Sequence, residues 1–193
     1  MKKLIYSTLF LTAILTITSC NDKKEKPATD NTTEVTTETK DTVETTTEEV
    51  AKAAVNKEKE SLSKPYNETE DADARLNELI AQAKKEGKKV FVQAGGNWCI
   101  WCLRFNDFVQ KTEELKTVVD QNYLYYHLNY SKNNKNDVVF DKYAPEGKKL
   151  GFPFFFVLDG EGKVINIISS VELEENKGYS IEKTKQMFLN NVK

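Results

Sequence analysis

Two cysteines separated by two residues are the part of this 193-residue sequence best suited to chemistry. Cys99 and Cys102 lie in the run Trp98-Cys99-Ile100-Trp101-Cys102, after an apolar segment and at the start of a segment with a helical pattern. This spacing places both sulfur atoms in the first turn of the helix, close enough to form a disulfide. The motif therefore predicts a redox-active disulfide that is opened and closed by thiol exchange.

The predicted helix gives the two sulfurs different roles. Cys99 is expected to lie over the helix N-terminus, where unpaired backbone N–H groups and the helix dipole stabilise a thiolate. Cys99 is therefore predicted to be the nucleophile. Cys102, one turn inside the helix, is expected to be more buried and to resolve the mixed disulfide.

Other roles for this pair have less support. A zinc site needs four ligands, but the chain has no second CxxC and His127 is its only histidine. A haem attachment site needs a histidine directly after the second cysteine, where Leu103 stands. A purely structural disulfide remains open, although so short a loop constrains little chain entropy. We expect no metal and no cofactor, and we interpret His127 as a structural histidine with its polar groups satisfied.

The elements that position the motif follow from local patterns. Gly87 is a natural end for the first helix, and the run 159–162 (Asp-Gly-Glu-Gly) predicts a hairpin turn. Helices are predicted at 72–86, 99–110, 113–120, 137–143 and 180–192, and strands at 89–94, 123–130, 152–158 and 164–169. This order predicts a small α/β domain, a three-layer α/β/α sandwich with a central mixed β-sheet.

Composition confines the core to residues 72–193. Of the 20 aromatic residues, 17 lie in this range, together with all eight glycines. Residues 21–71 instead carry 8 Lys and 14 acidic residues and are rich in Thr, so we predict that 20–71 is a disordered acidic tether. Within it, residues 50–62 could form a fraying helix, although an isolated helix this short is marginal in water. The net charge of the range 72–193 is only +2, which argues against nucleic-acid binding.

The first 19 residues are predicted to be a signal peptide. Lys2 and Lys3 precede an uncharged run that ends at Ser19, and this run is too short and too rich in Thr to remain as a membrane-spanning helix. Its end, Ile17-Thr18-Ser19-Cys20, resembles the lipobox of bacterial lipoproteins. The resemblance implies a lipid on Cys20 and a location outside the cytoplasm. Ordinary cleavage that leaves Cys20 as a free thiol is the open alternative.

A proline supplies the second chemical signal. Pro153 opens the apolar strand predicted at 152–158. Because proline cannot donate a ladder hydrogen bond, this position suits a strand start or a cis peptide bond.

The strand before WCxxC, the helix after it and a proline at the head of a later hairpin strand resemble the thioredoxin superfamily over residues 72–193. The resemblance implies a cis bond at Pro153, which faces the redox pair, and a substrate chain that pairs with the backbone of Phe152. The substrate groove it implies is formed by Trp98, Ile100, Trp101, Phe152 and Pro153. The N-terminal features are similar to those of secreted thioredoxin-like lipoproteins of Gram-negative bacteria.

The sequence departs from the family pattern at three places. The bulky pair Ile100-Trp101 replaces Gly-Pro between the cysteines, and Phe152 is larger than the usual residue before the proline. Gln93 stands where thioredoxins bury an acid. An amide cannot serve as a general base, so resolution by Cys102 must use water or another group. Trp98 fits core packing and groove lining equally well, whereas Trp101 is expected to be exposed to partners.

The predicted function is a membrane-tethered thiol-disulfide oxidoreductase that reduces disulfides of envelope proteins. The absence of a histidine between the cysteines favours a reductant. Expected partners are disulfide-containing or dithiol envelope proteins, the membrane through an N-terminal lipid, and a membrane thiol reductase as electron donor. The protein is expected on the bacterial cell envelope, facing the periplasm or the cell exterior. A peptide-binding or envelope-assembly module without redox turnover is the alternative, and metal delivery is the weakest hypothesis.

Overall fold

A computed structural model describes residues 41–192, with side chains from residue 47 onward. The predicted signal peptide, Cys20 and the residues up to 40 lie outside the described residues. The helices are α1 (Asp41–Ser61), α2 (Ala72–Glu86), α3 (Ile100–Lys111), α4 (Glu113–Asn122), α5 (Asp137–Tyr143) and α6 (Ile181–Asn190). The strands are β1 (Lys89–Gly95), β2 (Tyr123–Asn129), β3 (Phe154–Leu158), β4 (Val164–Ser169), β5 (Glu174–Glu175) and β6 (Gly178–Tyr179). Within the described range, none of the helices combines the length and apolar character needed to cross a membrane.

The central sheet has four strands in the order β2-β1-β3-β4. Strands β1 and β2 are parallel and are joined by the crossover through α3 and α4, whereas β3 pairs antiparallel with both β1 and β4. This mixed sheet lies between helices on both faces. The predicted three-layer α/β/α sandwich with a central mixed sheet is confirmed.

Strand alternation builds one core on each face of the sheet. In β3, Phe154 and Phe156 face the layer formed by α2 and α5, while Phe155 faces the layer formed by α3, α4 and α6. All five residues of β3 are buried, which is why the strand reads as a continuous apolar run.

Helix α2 sets the entry into β1. Asp71 caps the helix, because its side chain accepts a hydrogen bond from the backbone N–H of Ala74 at 3.1 Å. Gly87 ends the helix in the left-handed conformation, with φ at 66°, as the sequence predicts. Strand β1 then runs through the middle of the sheet and ends at Gly95, directly before the cysteine motif.

The segment before residue 72 differs from the predicted disordered tether. Residues 41–61 form α1, and although most of its described side chains are exposed, its last turn packs on α3. Arg104 donates two hydrogen bonds of 2.7 Å to the carboxylate of Glu58. Leu62 and Tyr66 pack against the cysteine motif, and Tyr66 is only 3% exposed. The overall composition of residues 21–71 does not reveal these few residues, which bury enough apolar surface to order the end of the segment.

The burial of Tyr66 predicts a large stability effect from a segment that is polar on average. Tyr66→Ala should lower the free energy of unfolding by about 3–5 kcal/mol, the range for removing a buried aromatic side chain. Val55→Ala, on the exposed part of α1, is the control and should change it by less than about 0.5 kcal/mol. Urea unfolding of both variants measures the difference, and equal effects would show that Tyr66 is not part of the core.

Candidate active site

The cysteine pair lies where β1 passes into α3. Cys99 is the N-cap of α3 and is joined to Cys102 by a disulfide. The backbone N–H of Cys102 points at the Cys99 sulfur at 3.1 Å. Cys99 is 6% exposed and Cys102 is fully buried. An attacking thiolate therefore reaches the disulfide through Cys99, and the helix N-terminus is placed to stabilise negative charge on that sulfur.

The loop before the pair is tied to the segment that follows α1. The Asn97 side chain accepts a hydrogen bond from the Tyr66 backbone N–H at 3.2 Å and donates one to the Tyr66 carbonyl at 2.8 Å. The Trp98 indole N–H donates to the carbonyl of Tyr130 at 2.6 Å. These contacts fix the turn from which Cys99 projects.

The proline loop lies directly against the Cys99 sulfur. The Phe152-Pro153 peptide bond is cis, and the Phe152 carbonyl oxygen lies 3.6 Å from the Cys99 sulfur. Pro153 itself is buried. The backbone just before Pro153 is therefore placed where a chain bonded to Cys99 would meet it.

Aromatic rings extend this surface away from the disulfide. Phe152 stacks on Tyr130 with ring centroids 5.1 Å apart and meets Trp98 edge-on at 5.7 Å. Trp98 is 49% exposed, so it does not serve as a core residue. It lines a pocket of about 520 Å³ together with Tyr130, Glu68, Ser131, Lys132, Asn133 and Lys135.

Trp101 differs from the sequence expectation, because it is half-buried. Its ring meets Tyr179 of β6 edge-on at 5.7 Å, and the Arg104 guanidinium lies 5.0 Å from its centroid. The Tyr179 hydroxyl also donates to the Trp101 carbonyl at 3.1 Å. Of the five residues predicted to form the groove, Trp98, Phe152 and Pro153 surround Cys99, whereas Trp101 packs on the β5–β6 hairpin. Ile100, also half-buried, begins α3.

Gln93 lies beneath the cysteine pair and is completely buried. Its Nε2 donates to the Tyr66 hydroxyl oxygen at 2.7 Å and to the Cys102 carbonyl at 2.8 Å. Its Oε1 accepts a hydrogen bond from the Tyr125 hydroxyl at 2.5 Å. The amide that replaces a buried acid thus joins β1 to α3, to β2 and to the segment after α1.

Gly95 makes a close approach possible in this region. A Cβ atom on Gly95 would lie 2.6 Å from the Cys102 sulfur and 2.7 Å from the Tyr66 hydroxyl oxygen. No side chain fits there, and the sulfur and the hydroxyl border the same small space. Burial raises the pKa of Tyr66 well above its ordinary value, so this hydroxyl is neutral at physiological pH.

Sequence reasoning missed Tyr66, Tyr125 and Gly95 as parts of this site. Tyr66 carried a signal, because it is the only aromatic residue between positions 21 and 71. A lone aromatic at the end of a polar segment favours an anchor on the folded domain. Tyr125 and Gly95 carried no comparable signal, since their roles depend on strand pairing and on the path of α3.

His127 lies beside this network on β2. Its ring centroid is 5.2 Å from that of Tyr66 and 5.0 Å from that of Tyr125. Its buried Nε2 atom has no hydrogen-bond partner among the described residues, which differs from the satisfied histidine expected. Burial lowers the pKa of His127 to about 4, so the ring is neutral at pH 7. Between residues 41 and 192, no group of three or more His, Cys, Asp or Glu residues could hold a metal ion.

Comparison with known proteins agrees with this architecture. A sequence model of a family described as thioredoxin-like matches residues 71–160. The disulphide isomerase from Xylella fastidiosa Temecula1 is similar in structure, with a TM-score of 0.57 and 18% identity, covering 69% of this chain and 100% of its own. The C-terminal domain of Neisseria meningitidis DsbD in its oxidised form gives a TM-score of 0.44 and 17% identity, covering 63% of this chain and 96% of its own. No curated protein matches the sequence.

The neutral state of His127 predicts a loss of stability in mild acid. With the pKa lowered from 6.5 to about 4 in the folded state, the unfolded chain binds the proton first as the pH falls. The free energy of unfolding should then decrease by up to about 1.4 kcal/mol per pH unit between these two values. Above pH 6.5 this contribution is fully present. His127→Phe keeps an aromatic ring and should flatten the profile by that amount in urea unfolding across pH; an unchanged slope would contradict the prediction.

Proposed function

We propose that this chain is a membrane-tethered thiol-disulfide oxidoreductase acting outside the cytoplasm, because residues 71–160 match a thioredoxin-like family model and the chain carries a CxxC disulfide. The observation that carries the proposal is the asymmetry of the pair. Cys99 is the more exposed of the two residues and lies at the N-terminus of α3 against the cis-proline loop, whereas Cys102 is fully buried.

The chemistry proceeds by two thiolate exchanges. The Cys99 thiolate attacks a substrate disulfide, forms a Cys99–substrate bond and releases the first substrate sulfur as a thiolate. The Cys102 thiolate then attacks the Cys99 sulfur, forms the Cys99–Cys102 disulfide and releases the second substrate sulfur. The substrate gains two electrons from the cysteine pair, which is oxidised to the disulfide, and the two released thiolates take up protons from water. A dithiol donor must reduce it again, and a membrane thiol reductase has the required chemistry.

The substrate class follows from what surrounds Cys99. The Phe152 carbonyl is an acceptor for a backbone N–H of an extended chain, and the exposed Trp98 ring beside Tyr130 suits an apolar side chain near the substrate cysteine. These features support envelope proteins with accessible disulfides as substrates. Histidine is absent between the cysteines, which favours the reducing direction.

The location rests on the N-terminal sequence. A signal peptide over 1–19 and a lipid on Cys20 place the domain at the cell envelope, facing the periplasm or the exterior. Residues 21–57 then separate the anchor from the first packed turn of α1. A disulfide persists in such an oxidising compartment, and an electron donor is needed to keep the pair reduced there.

The proposed redox function predicts different effects for substitutions of the two cysteines. With Cys20→Ser in every variant to remove the third thiol, the protein should reduce insulin disulfides, and Cys99→Ser should abolish this activity. Cys102→Ser should accumulate a mixed disulfide through Cys99, because resolution is blocked. Non-reducing electrophoresis and mass spectrometry identify the adduct. Peptide binding without insulin reduction or an adduct would favour the non-catalytic binding module instead.

The lipid assignment predicts a second, independent result. Cells grown with labelled palmitate should incorporate the label into this protein, and Cys20→Ser should prevent incorporation and release the protein from the membrane fraction. Cys99→Ser is the matched control and should remain labelled. A labelled Cys20→Ser variant, or an unlabelled parent, would contradict lipidation at Cys20.

A further inference from the structure

We propose that the Tyr66 hydroxyl is a catalytic hydrogen-bond donor to the Cys102 thiolate, and that Gln93 holds the hydroxyl in position. The inference rests on the thiol–disulfide exchange proposed above. Gln93 replaces the buried acid of thioredoxins, and the Tyr66 hydroxyl is the group that assists Cys102 in its place. The donor comes from the segment before residue 72.

Gly95 is the point of the backbone that both groups approach. The Cys102 sulfur and the Tyr66 hydroxyl oxygen both border the space that a Gly95 Cβ would occupy, at 2.6 and 2.7 Å from it. Tyr66 is 3% exposed and Cys102 is fully buried, and both belong to one packed cluster. A thiolate formed on Cys102 is therefore poorly solvated, and a buried anion needs a donor nearby.

The hydrogen bonds around Tyr66 orient its proton. A tyrosine hydroxyl has one hydrogen to donate and lone pairs that accept. Gln93 Nε2 donates to the oxygen at 2.7 Å, so that bond uses a lone pair of Tyr66 and leaves its hydrogen free. Among the described residues, no nitrogen or oxygen atom accepts this hydrogen. Cys102 is disulfide-bonded in this structure. Once it is reduced, its sulfur, which borders the same space at Gly95, becomes the acceptor for this hydrogen.

Gln93 is a positioning residue in this arrangement. Its Nε2 bridges the Tyr66 hydroxyl and the Cys102 carbonyl, which ties the donor to the turn that carries the sulfur. Tyr125 bonds to the Gln93 oxygen and fixes which end of the amide faces Tyr66. A carboxylate at this position would accept from Tyr66 and draw its hydrogen away from the sulfur.

The donor acts on both directions of exchange. During resolution, it stabilises the Cys102 thiolate, whose proton has passed to water, until that thiolate attacks the Cys99 sulfur and displaces the substrate thiolate. When a donor thiolate attacks Cys99 in the oxidised protein, the Cys99–Cys102 bond breaks and Cys102 leaves as a thiolate into the same hydrogen bond. Tyr66 remains protonated throughout, so it does not act as a base.

Other titratable groups surround the cluster and enter any pH measurement. Tyr125 and Tyr179 are neutral hydroxyls, since burial raises the pKa of each, and His127 is neutral above pH 5. On the outer side of α3, Arg104 is paired with Glu58. Cys99 is the remaining group, and replacing it by serine removes its titration.

The direct test is the ionisation of Cys102 as the sole thiol. In a chain carrying Cys20→Ser and Cys99→Ser, the ¹³Cβ chemical shift of labelled cysteine reports the pH midpoint of Cys102. Tyr66→Phe should raise this midpoint by about one pH unit, as expected for losing a hydrogen bond to a charged group. Tyr123→Phe removes another buried hydroxyl, which donates to the Phe188 carbonyl at 2.6 Å outside the site, and should leave the midpoint unchanged.

A kinetic test separates this inference from the proposed function. In the Cys20→Ser chain, thionitrobenzoate attached to Cys99 should be released when Cys102 attacks. Tyr66→Phe should slow the release about threefold at pH 7, because the thiolate fraction falls about tenfold while the higher pKa makes the remaining thiolate about threefold more nucleophilic. No release from the parent would overturn the proposed exchange, whereas the NMR titration would still test Tyr66. If Tyr66→Phe shows the same rate of thionitrobenzoate release and the same Cys102 pH midpoint as the parent, the proposed role of Tyr66 is overturned.

A second substitution keeps the test valid if Tyr66→Phe does not fold. Incorporation of 3-fluorotyrosine at position 66 preserves the hydroxyl and its size but makes it a stronger donor. The Cys102 midpoint should then move down, opposite to the change in Tyr66→Phe. A midpoint that coincides with the parent's would show that the hydroxyl does not bond to the thiolate.

Discussion

The position of α3, the helix that carries the cysteine pair, depends on one buried amide. The Gln93 side chain forms hydrogen bonds with three other parts of the chain: Tyr66, the first turn of α3 and Tyr125 of β2. A buried amide without these partners would be strongly unfavourable, so each partner is constrained by the same requirement. The constraint holds the disulfide over the end of β1, and Gly95 is the point where the chain has no room for a side chain.

An amide at this position changes the electrostatics of the site. A buried carboxylate carries a large desolvation penalty and is stable only when paired or protonated, whereas Gln93 is neutral at every physiological pH. The groups packed around it, Tyr66, Tyr125 and His127, are neutral as well. A thiolate on Cys102 would therefore have only neutral groups packed beside Gln93, and it would depend on dipoles and hydrogen-bond donors for its stabilisation.

How far the sequence predicts this protein depends on how local each signal is. The ends of α2, the run of β3 and the CxxC pair follow from caps, apolar patterning and spacing within a few residues, and the fold they predict is confirmed. The exposures of Trp98 and Trp101 depend instead on distant partners. Tyr179 covers Trp101 from a hairpin whose strands have two residues each, too short to leave a pattern.

The N-terminal segment shows why a compositional boundary is a poor guide to a functional one. Its acids, lysines and threonines predict a solvated chain, and the exposed side chains of α1 from residue 47 onward agree with that composition. Its last residues behave differently, because Glu58 pairs with Arg104 and Tyr66 is buried beside the cysteine pair. A chain that began at residue 72 would retain Cys99, Cys102, the cis-proline and Gln93. It would lack the Tyr66 hydroxyl, which lies near the Cys102 sulfur. The same segment that leads to the predicted lipid anchor thus completes the polar network beneath the disulfide.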